Sequence, residues 1–272
     1  MHHILRAVDF HPVEANLRQS FRALAAGRPR SDVLELPGVT IASLGVAFQM
    51  FNAAFLNGPV VSLPHLELQL ELAHAHFSSR GMEWSFWFCE DWLAKPVRRH
   101  LTAACSKHHL RLSSELPGMI TATLAKQKRA LPHLQVRRAD SPSTLSDFRT
   151  VGGQCFRVPP AWFAEVFHDS LAASCQEFAC WVGYLDGLPV ATAATLVAAG
   201  AIGLYNIATV PGYRGRGVAE AITRLVAGTA QQQAGPLPLI LQSTSQGRRM
   251  YDNLGFRETA RILVFNSESV LK

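Results

Sequence analysis

No Cys-x-x-Cys pair occurs in this chain. Its five cysteines, Cys89, Cys105, Cys155, Cys175 and Cys180, are odd in number and irregularly spaced. That spacing excludes a zinc framework and a disulfide scaffold, so reduced, partly buried thiols of a cytoplasmic protein are expected. Gly-Lys-Ser/Thr and Gly-x-Gly-x-x-Gly are both missing, which removes P-loop and dinucleotide folds. No apolar run approaches a membrane span, and the N-terminal Met-His-His-Ile-Leu-Arg lacks a signal-peptide core. No membrane partner is therefore expected. Charge is scarce, at 17% of residues, and the net +6 comes from scattered Lys and Arg. The nearest clusters, Lys95 to Arg99, Lys126 to Arg129 and Arg137-Arg138, are too short for a basic arm. They read as solvated surface, with no nucleic acid expected. The histidine pairs His2-His3, His74/His76 and His108-His109 have no carboxylate or cysteine at ligand spacing, so no metal is expected.

What is present is apolar substance. The chain has 272 residues, 48% of them hydrophobic, enough for two medium domains and too apolar for disorder. In the first part, helical periodicity covers Pro12 to Leu24, with Gly27-Arg28-Pro29 as its stop. Val39 to Val46 reads as a buried strand, and a turn-rich stretch runs on to Asn57-Gly58-Pro59. His65 to Phe77 alternates like a strand, but Glu67, Gln69 and Glu71 favour a helix. Met82 to Cys89 is an aromatic strand that needs cover on both faces. Pro96 to His109 reads as a helix and Ile120 to Leu124 as a short strand.

A boundary is expected near Gln127 to Pro132, dividing the chain into residues 1–130 and 131–272. Beyond it the pattern is strand (Leu134 to Arg138), a helix from Asp140, a second helix (Ala161 to Ala172) and strand (Phe178 to Leu185). An Asp186-Gly187 hairpin turn follows, then strands Pro189 to Val197 and Ile202 to Val210. A long helix from Arg216 to Gln233 has Val218, Ala221, Ile222, Leu225 and Val226 on its apolar face. Strand (Leu237 to Gln242), helix (Gln246 to Leu254) and strand (Arg261 to Phe265) complete the order βααβββαβαβ.

The informative run is Thr209 to Ala219, where a strand enters a proline turn and then a glycine-rich helix start. The first turn of a helix has unpaired N–H groups and the positive end of the dipole, which suits a pyrophosphate. Gly215 and Gly217 leave room for close approach, and Arg214 and Arg216 add positive charge.

Arg214-x-x-Gly217-x-Ala219, with Pro211-Gly212-Tyr213 before it and Tyr251-Asp252-Asn253-Leu254-Gly255-Phe256 after it, resembles the GNAT superfamily of N-acetyltransferases over residues 133–267. The resemblance implies an α/β (α+β) fold: a mixed, mainly antiparallel sheet flanked by helices. It implies acetyl-CoA as co-substrate, a primary amine of a small molecule or peptide as acceptor, and direct attack without an acyl-enzyme. A homodimer is left open. By the same resemblance Ile207, Ala208, Thr209 and Val210 would meet the pantetheine arm, and a backbone N–H of that strand would polarise the thioester. Residues Arg214, Gly215, Arg216, Gly217, Val218 and Ala219 would hold the pyrophosphate, and Tyr251 would protonate the departing thiolate. Many members carry Asn where this chain has Thr244. Residues 39–124 resemble a smaller, degenerate copy whose Val46 to Asn57 stretch lacks the signature. His168-Asp169 and Glu165 fall on a helix that borders the acceptor site in the family, though a solvated face fits them better. The rival reading is a CoA-binding regulatory or scaffolding module without turnover.

Overall fold

The computed structural model describes residues 10–26, 28–169, 175 and 177–268. The pair His2-His3, the helix-stop residue Gly27 and the end of the expected Ala161 to Ala172 helix lie outside the described residues. The first part runs α1 (His11–Ala25), β1 (Asp32–Leu36), β2 (Val39–Ser43), β3 (Asn52–Leu56), α2 (Leu63–Ser78), β4 (Ser85–Cys89), α3 (Lys95–Arg98), α4 (Leu101–Lys107) and β5 (Leu110–Thr121). The second runs β6 (Gln135–Arg138), α5 (Pro142–Phe156), α6 (Pro160–Val166), β7 (Phe178–Leu185), β8 (Leu188–Ala198), β9 (Ala201–Thr209), α7 (Val218–Ala234), β10 (Leu239–Gln242), α8 (Arg248–Asn253) and β11 (Arg257–Ser267). Among the described residues the expected order of the second part holds element for element.

In the first part, β1 and β3 were not anticipated. The short strand expected at Ile120 is the end of the twelve-residue β5. The helix expected over Pro96 to His109 is broken into α3 and α4.

Among the described residues all strands join one 11-stranded sheet, ordered β1-β2-β3-β4-β11-β5-β10-β9-β8-β7-β6. Pairing is antiparallel except at β3/β4 and β9/β10. The sheet is not partitioned at residue 130. Strand β11 lies between β4 and β5, and β5 lies between β11 and β10. Each half thus fills its central gap with the other's last strand. The five strands of the first half match β7 to β11 of the second in sheet order, β4 to β10 and β3 to β9, and β6 is the one strand without a counterpart.

Alternation along the strands assigns the helices to two faces. Leu239 and Leu241 face α7, together with Ile202 and Leu204 of β9, whereas Ile240 faces α1. On β4, Phe86 and Phe88 pack under α2 and α4, and Trp87 and Cys89 pack under α1. The aromatic strand is covered on both sides, as its composition demands. Helix α7 buries Val218, Ala221, Ile222, Val226, Ala227 and Ala230, but Leu225, read from the sequence as core, is 45% exposed. Burial of each of Val218, Ile222 and Val226 contributes roughly 1.5–3 kcal/mol.

Polar bonds also cross between the halves. Arg28 donates to the carbonyls of Leu44 (3.1 Å), Val166 (3.1 Å) and Glu165 (2.7 Å). From α1, the fully buried Asn16 donates to the carbonyls of Leu196, Ala198 and Ala201 at 3.3, 2.8 and 3.0 Å. Its Oδ1 accepts from the Tyr205 hydroxyl at 2.6 Å. A Cβ at Gly203 would sit 2.1 Å from that oxygen, so glycine is needed there.

Candidate functional site

Strands β9 and β10 start together and separate. They pair in parallel only at Ile202↔Leu239 and Gly203↔Ile240. Beyond those pairs, β9 continues to Thr209 with no strand on its β10 side, leaving a wedge open between them. A bulge opposite β8 falls between Tyr205 and Ala208, with Asn206 at φ +49° in the left-handed region. The Thr192 hydroxyl donates to the Asn206 carbonyl at 2.8 Å and holds the bulge.

The register decides which backbone groups face the wedge. Val210 N–H donates to the Val190 carbonyl at 2.9 Å. By antiparallel alternation Ala208 also bonds toward β8, whereas Ile207 and Thr209 turn their amides to the open edge. The four strand residues anticipated as a unit therefore divide into two that face the wedge and two that are taken up by β8. Val210 in particular has no N–H to offer a thioester.

The chain leaves β9 through a 3-10 turn at Pro211–Tyr213 and reaches α7. Gly215 (φ +75°) and Gly217 (φ +87°) both adopt left-handed conformations that favour glycine. Conformation is thus the first reason for these glycines. A Cβ on Gly215 would meet nothing within 4 Å. One on Gly217 would lie 3.1 Å from Leu131 Cδ2 and 3.4 Å from Arg129 Nη2, so it crowds the inter-half linker and not the open turn. Gly217 is the N-cap of α7 and supplies no side-chain cap. The first internal bond runs from Ala221 N–H to the Gly217 carbonyl, so among the described residues the N–H groups of Val218, Ala219 and Glu220 have no acceptor.

Both signature arginines touch the turn itself. Arg214 Nε donates to the Thr209 carbonyl at 3.0 Å and ties strand end to turn. The Arg216 guanidinium lies 5.4 Å from the Tyr213 ring centre.

Tyr251 sits on α8 with Gly247 and Phe256 against its ring and is 7% exposed. It shares a hydrophobic cluster with Leu204, Leu241, Val218 and Ile207, on the sheet face that carries α7. Burial pushes its phenol well above the usual tyrosine range, and its hydroxyl makes no hydrogen bond among the described residues. It is a protonated group with a free donor. Thr244 takes a different part from the Asn of many family members. Its hydroxyl accepts from Gly247 N–H at 3.2 Å and its carbonyl from Arg248 N–H at 3.1 Å, which starts α8.

All five cysteines are free, and burial pushes each thiol up, the reverse of an activated nucleophile. Cys155 is raised even beside Arg214. His168, Asp169 and Glu165 line an open depression with Arg149 and Trp162. His108, 41 residues from Glu67, meets its carboxylate at 3.1 Å. Among the described residues no group of three His, Cys, Asp or Glu side chains could hold a metal ion, and no helix is long and apolar enough to cross a membrane.

The corresponding place in the first half is closed. The structure puts it at Asn57 to Ser62, between β3 and α2, and not at Val46 to Asn57. Past the paired part of β3 and β4, Val60 N–H donates to the Trp92 carbonyl at 2.8 Å and Ala94 N–H to the Val60 carbonyl at 2.9 Å. Backbone thus seals the would-be wedge. Ser62 caps α2 with its own hydroxyl, and Pro64 removes a first-turn donor.

Sequence reasoning missed the Asn16–Gly203–Tyr205 lock and the bulge at Asn206. The lock joins residues 189 apart, and no local pattern marks it.

Residues 176–258 match the acetyltransferase (GNAT) domain family. Among solved structures, a GCN5-related N-acetyltransferase from Kribbella flavida is similar at 16% identity and a TM-score of 0.71, over 94% of this chain and 95% of that one. A conserved protein of unknown function from Staphylococcus epidermidis is similar at 12% identity and a TM-score of 0.64, over 88% and 95%. A GCN5-related N-acetyltransferase from Sphaerobacter thermophilus is similar at 15% identity and a TM-score of 0.58, over 85% and 76%. At these identities the likeness is one of fold, and for the first two it extends over nearly the whole length of both chains. No curated protein matches the chain.

Proposed function

We propose that the chain transfers an acetyl group from acetyl-CoA to a primary amine of a small molecule or peptide. The observation that carries this reading is the open wedge between β9 and β10, which leads directly to a left-handed glycine turn and the unpaired N–H groups of α7. An amide-bearing arm fits the free edge of Ile207 and Thr209 as an added strand would. A pyrophosphate fits the first turn of α7.

Acetyl-CoA brings the activated acyl group as a thioester. In this reading the open-edge N–H groups of Ile207 and Thr209 stabilise charge on the carbonyl oxygen. The acceptor nitrogen forms the new C–N bond as the C–S bond breaks. Tyr251 gives its proton to the departing sulfur, and the amine proton leaves to water. No thiol in the chain is poised for an acyl-enzyme, which supports direct attack.

In this reading residues 1–130 are a degenerate GNAT-like copy and residues 131–272 the catalytic unit. The β1 to β5 order that recurs in β7 to β11 supports the duplication, and the sealed Val60 to Ala94 junction supports a single cofactor per chain. Helix α1 lies over the wedge side of the sheet through Asn16 and the Gln242 Nε2 bond to the Val13 carbonyl (3.4 Å), which suits a wall of the acceptor cleft. The test is thiol release from acetyl-CoA across a panel of amines, with calorimetry of the same protein. Binding together with turnover is expected. Binding without turnover on any amine would leave a CoA-binding module, and no binding would remove the site.

A further inference from the structure

The inter-half linker, residues 122–134, does more than connect. It runs along α7 from its C-terminal end to its first turn. Gln231 Nε2 donates to the Ala122 carbonyl at 3.5 Å, Arg224 Nη1 to the Ala125 carbonyl at 2.7 Å, and Leu131 and Pro132 reach Gly217. Ala125 N–H also bonds the Leu254 carbonyl at 2.9 Å, which fixes the strap between α7 and the end of α8. The strap carries Lys126, Lys128 and Arg129, and of these Arg129 reaches the first turn of α7.

The charge balance there is uneven. The only carboxylate in the first turn is Glu220, and Arg224 already holds it with two contacts, at 3.0 and 2.9 Å. Arg129 approaches the same carboxylate only at 3.7 Å and keeps 58% of its side chain exposed. Its guanidinium is therefore a surplus cation within 3.4 Å of the Cβ position of Gly217. Arg214 and Arg216 belong to the turn, where the pyrophosphate has N–H donors of its own. The strap instead meets Gly217 and Glu220 of α7.

We infer that the strap is a second phosphate clamp, in which Arg129, aided by Lys128, holds the 3′-phosphate of the CoA nucleotide. This rests on the acetyl-CoA reading above and adds the group that tells CoA from its dephosphorylated form. The 3′-phosphate is a dianion one ribose away from the pyrophosphate, and a guanidinium on a short, pinned strap can meet it with a charge-assisted bond. A linker with no role in the sheet then sets cofactor specificity.

The test is calorimetry on the full chain with CoA and with 3′-dephospho-CoA. The wild type should prefer CoA by roughly tenfold, the scale of one partly exposed charge-assisted contact. Arg129→Ala should lose about that factor for CoA and change by less than about twofold for dephospho-CoA. Arg129→Lys should recover part of it. The preference should shrink as salt rises from about 0.1 to about 1 M and the screening length falls from about 10 to about 3 Å. Equal losses for both ligands, or no loss for either, would overturn the clamp. A wild type that binds neither ligand would instead overturn the acetyl-CoA reading itself. The residue is exposed, and an unchanged melting temperature for unliganded Arg129→Ala excludes a folding defect.

Discussion

Gly215 offers the most direct test of where the pyrophosphate sits. Its added Cβ meets nothing within 4 Å, so substitution costs only the left-handed conformation at φ +75°, about 1–2 kcal/mol for an L-residue. That cost is the same for alanine and glutamate. Gly215→Glu differs from Gly215→Ala by a carboxylate at the mouth of the turn. Two like charges about 5 Å apart repel by about 3 kcal/mol at an effective dielectric of about 20, and exposure to solvent leaves about 1 kcal/mol of that. Two phosphate charges then give about 2 kcal/mol, or roughly a 30-fold rise in Kd. In a thermal-shift assay with ligand at about 100 times the wild-type Kd, wild type and Gly215→Ala with equal affinity gain about 2.7 kcal/mol. That is a rise of roughly 5–10 °C. Gly215→Glu, sitting at about three times its own Kd, gains less than about 1 kcal/mol. Equal affinity of the two variants for acetyl-CoA by calorimetry would mean that no phosphate lies on this turn.

Four further outcomes are expected. Tyr251→Phe should lower turnover by roughly 10²–10⁴-fold with cofactor affinity nearly kept; unchanged turnover would take Tyr251 out of the reaction. Because burial raises the Tyr251 phenol above its ordinary value of 10.0, the acid stays protonated through neutral and mildly alkaline pH. A wild-type pH–rate profile should then show no loss assignable to this group below about pH 10, and a fall near pH 8 that disappears in Tyr251→Phe would contradict the burial argument. Calorimetry should give one CoA per chain, since Val60 and Ala94 close the first-half wedge; a stoichiometry of two would refute that. Asn16→Leu removes the acceptor of the Tyr205 hydroxyl and a donor shared by three carbonyls, and should cost about 3 kcal/mol in denaturant unfolding. A loss under about 1 kcal/mol would show that the lock contributes little.

The second half was legible because its elements carry local signals. The Asp186-Gly187 turn, the α7 stripe and the two glycines on the turn each depend on neighbours in sequence. The first half was harder for physical reasons. Strand β3 is buried throughout, so Asn52-Ala53-Ala54-Phe55-Leu56 shows no alternation to read. Strand β1 is an edge with Val33 and Leu34 exposed, where the usual pattern has no reason to appear. In β5, Pro117-Gly118 looks like a turn in what is a central strand. The proline is tolerated because Ser243, just past the end of β10, donates to its carbonyl at 2.9 Å, so its missing N–H points beyond the ladder. The chemistry of the turn could be read residue by residue. The division of labour along Ile207 to Val210 could not, since it is set by register against β8.

The exchanged central strands have a consequence for biosynthesis. When β5 has been made, β4 and β5 cannot yet stand in their final places, because the strand that separates them, β11, starts at Arg257. At ~5–20 residues per second, the roughly 130 residues in between take about 7–26 s. During that time the buried strand β4, with Phe86 and Phe88, and the long strand β5 each keep an open edge, because the strand that lies between them has not been made. Native pairing is thus deferred to nearly the last strand described, and it joins segments more than a hundred residues apart. Such long-range closure makes for slow folding. The chain should therefore lean on chaperones during synthesis, and cutting it back through β11 should unravel both halves of the sheet at once.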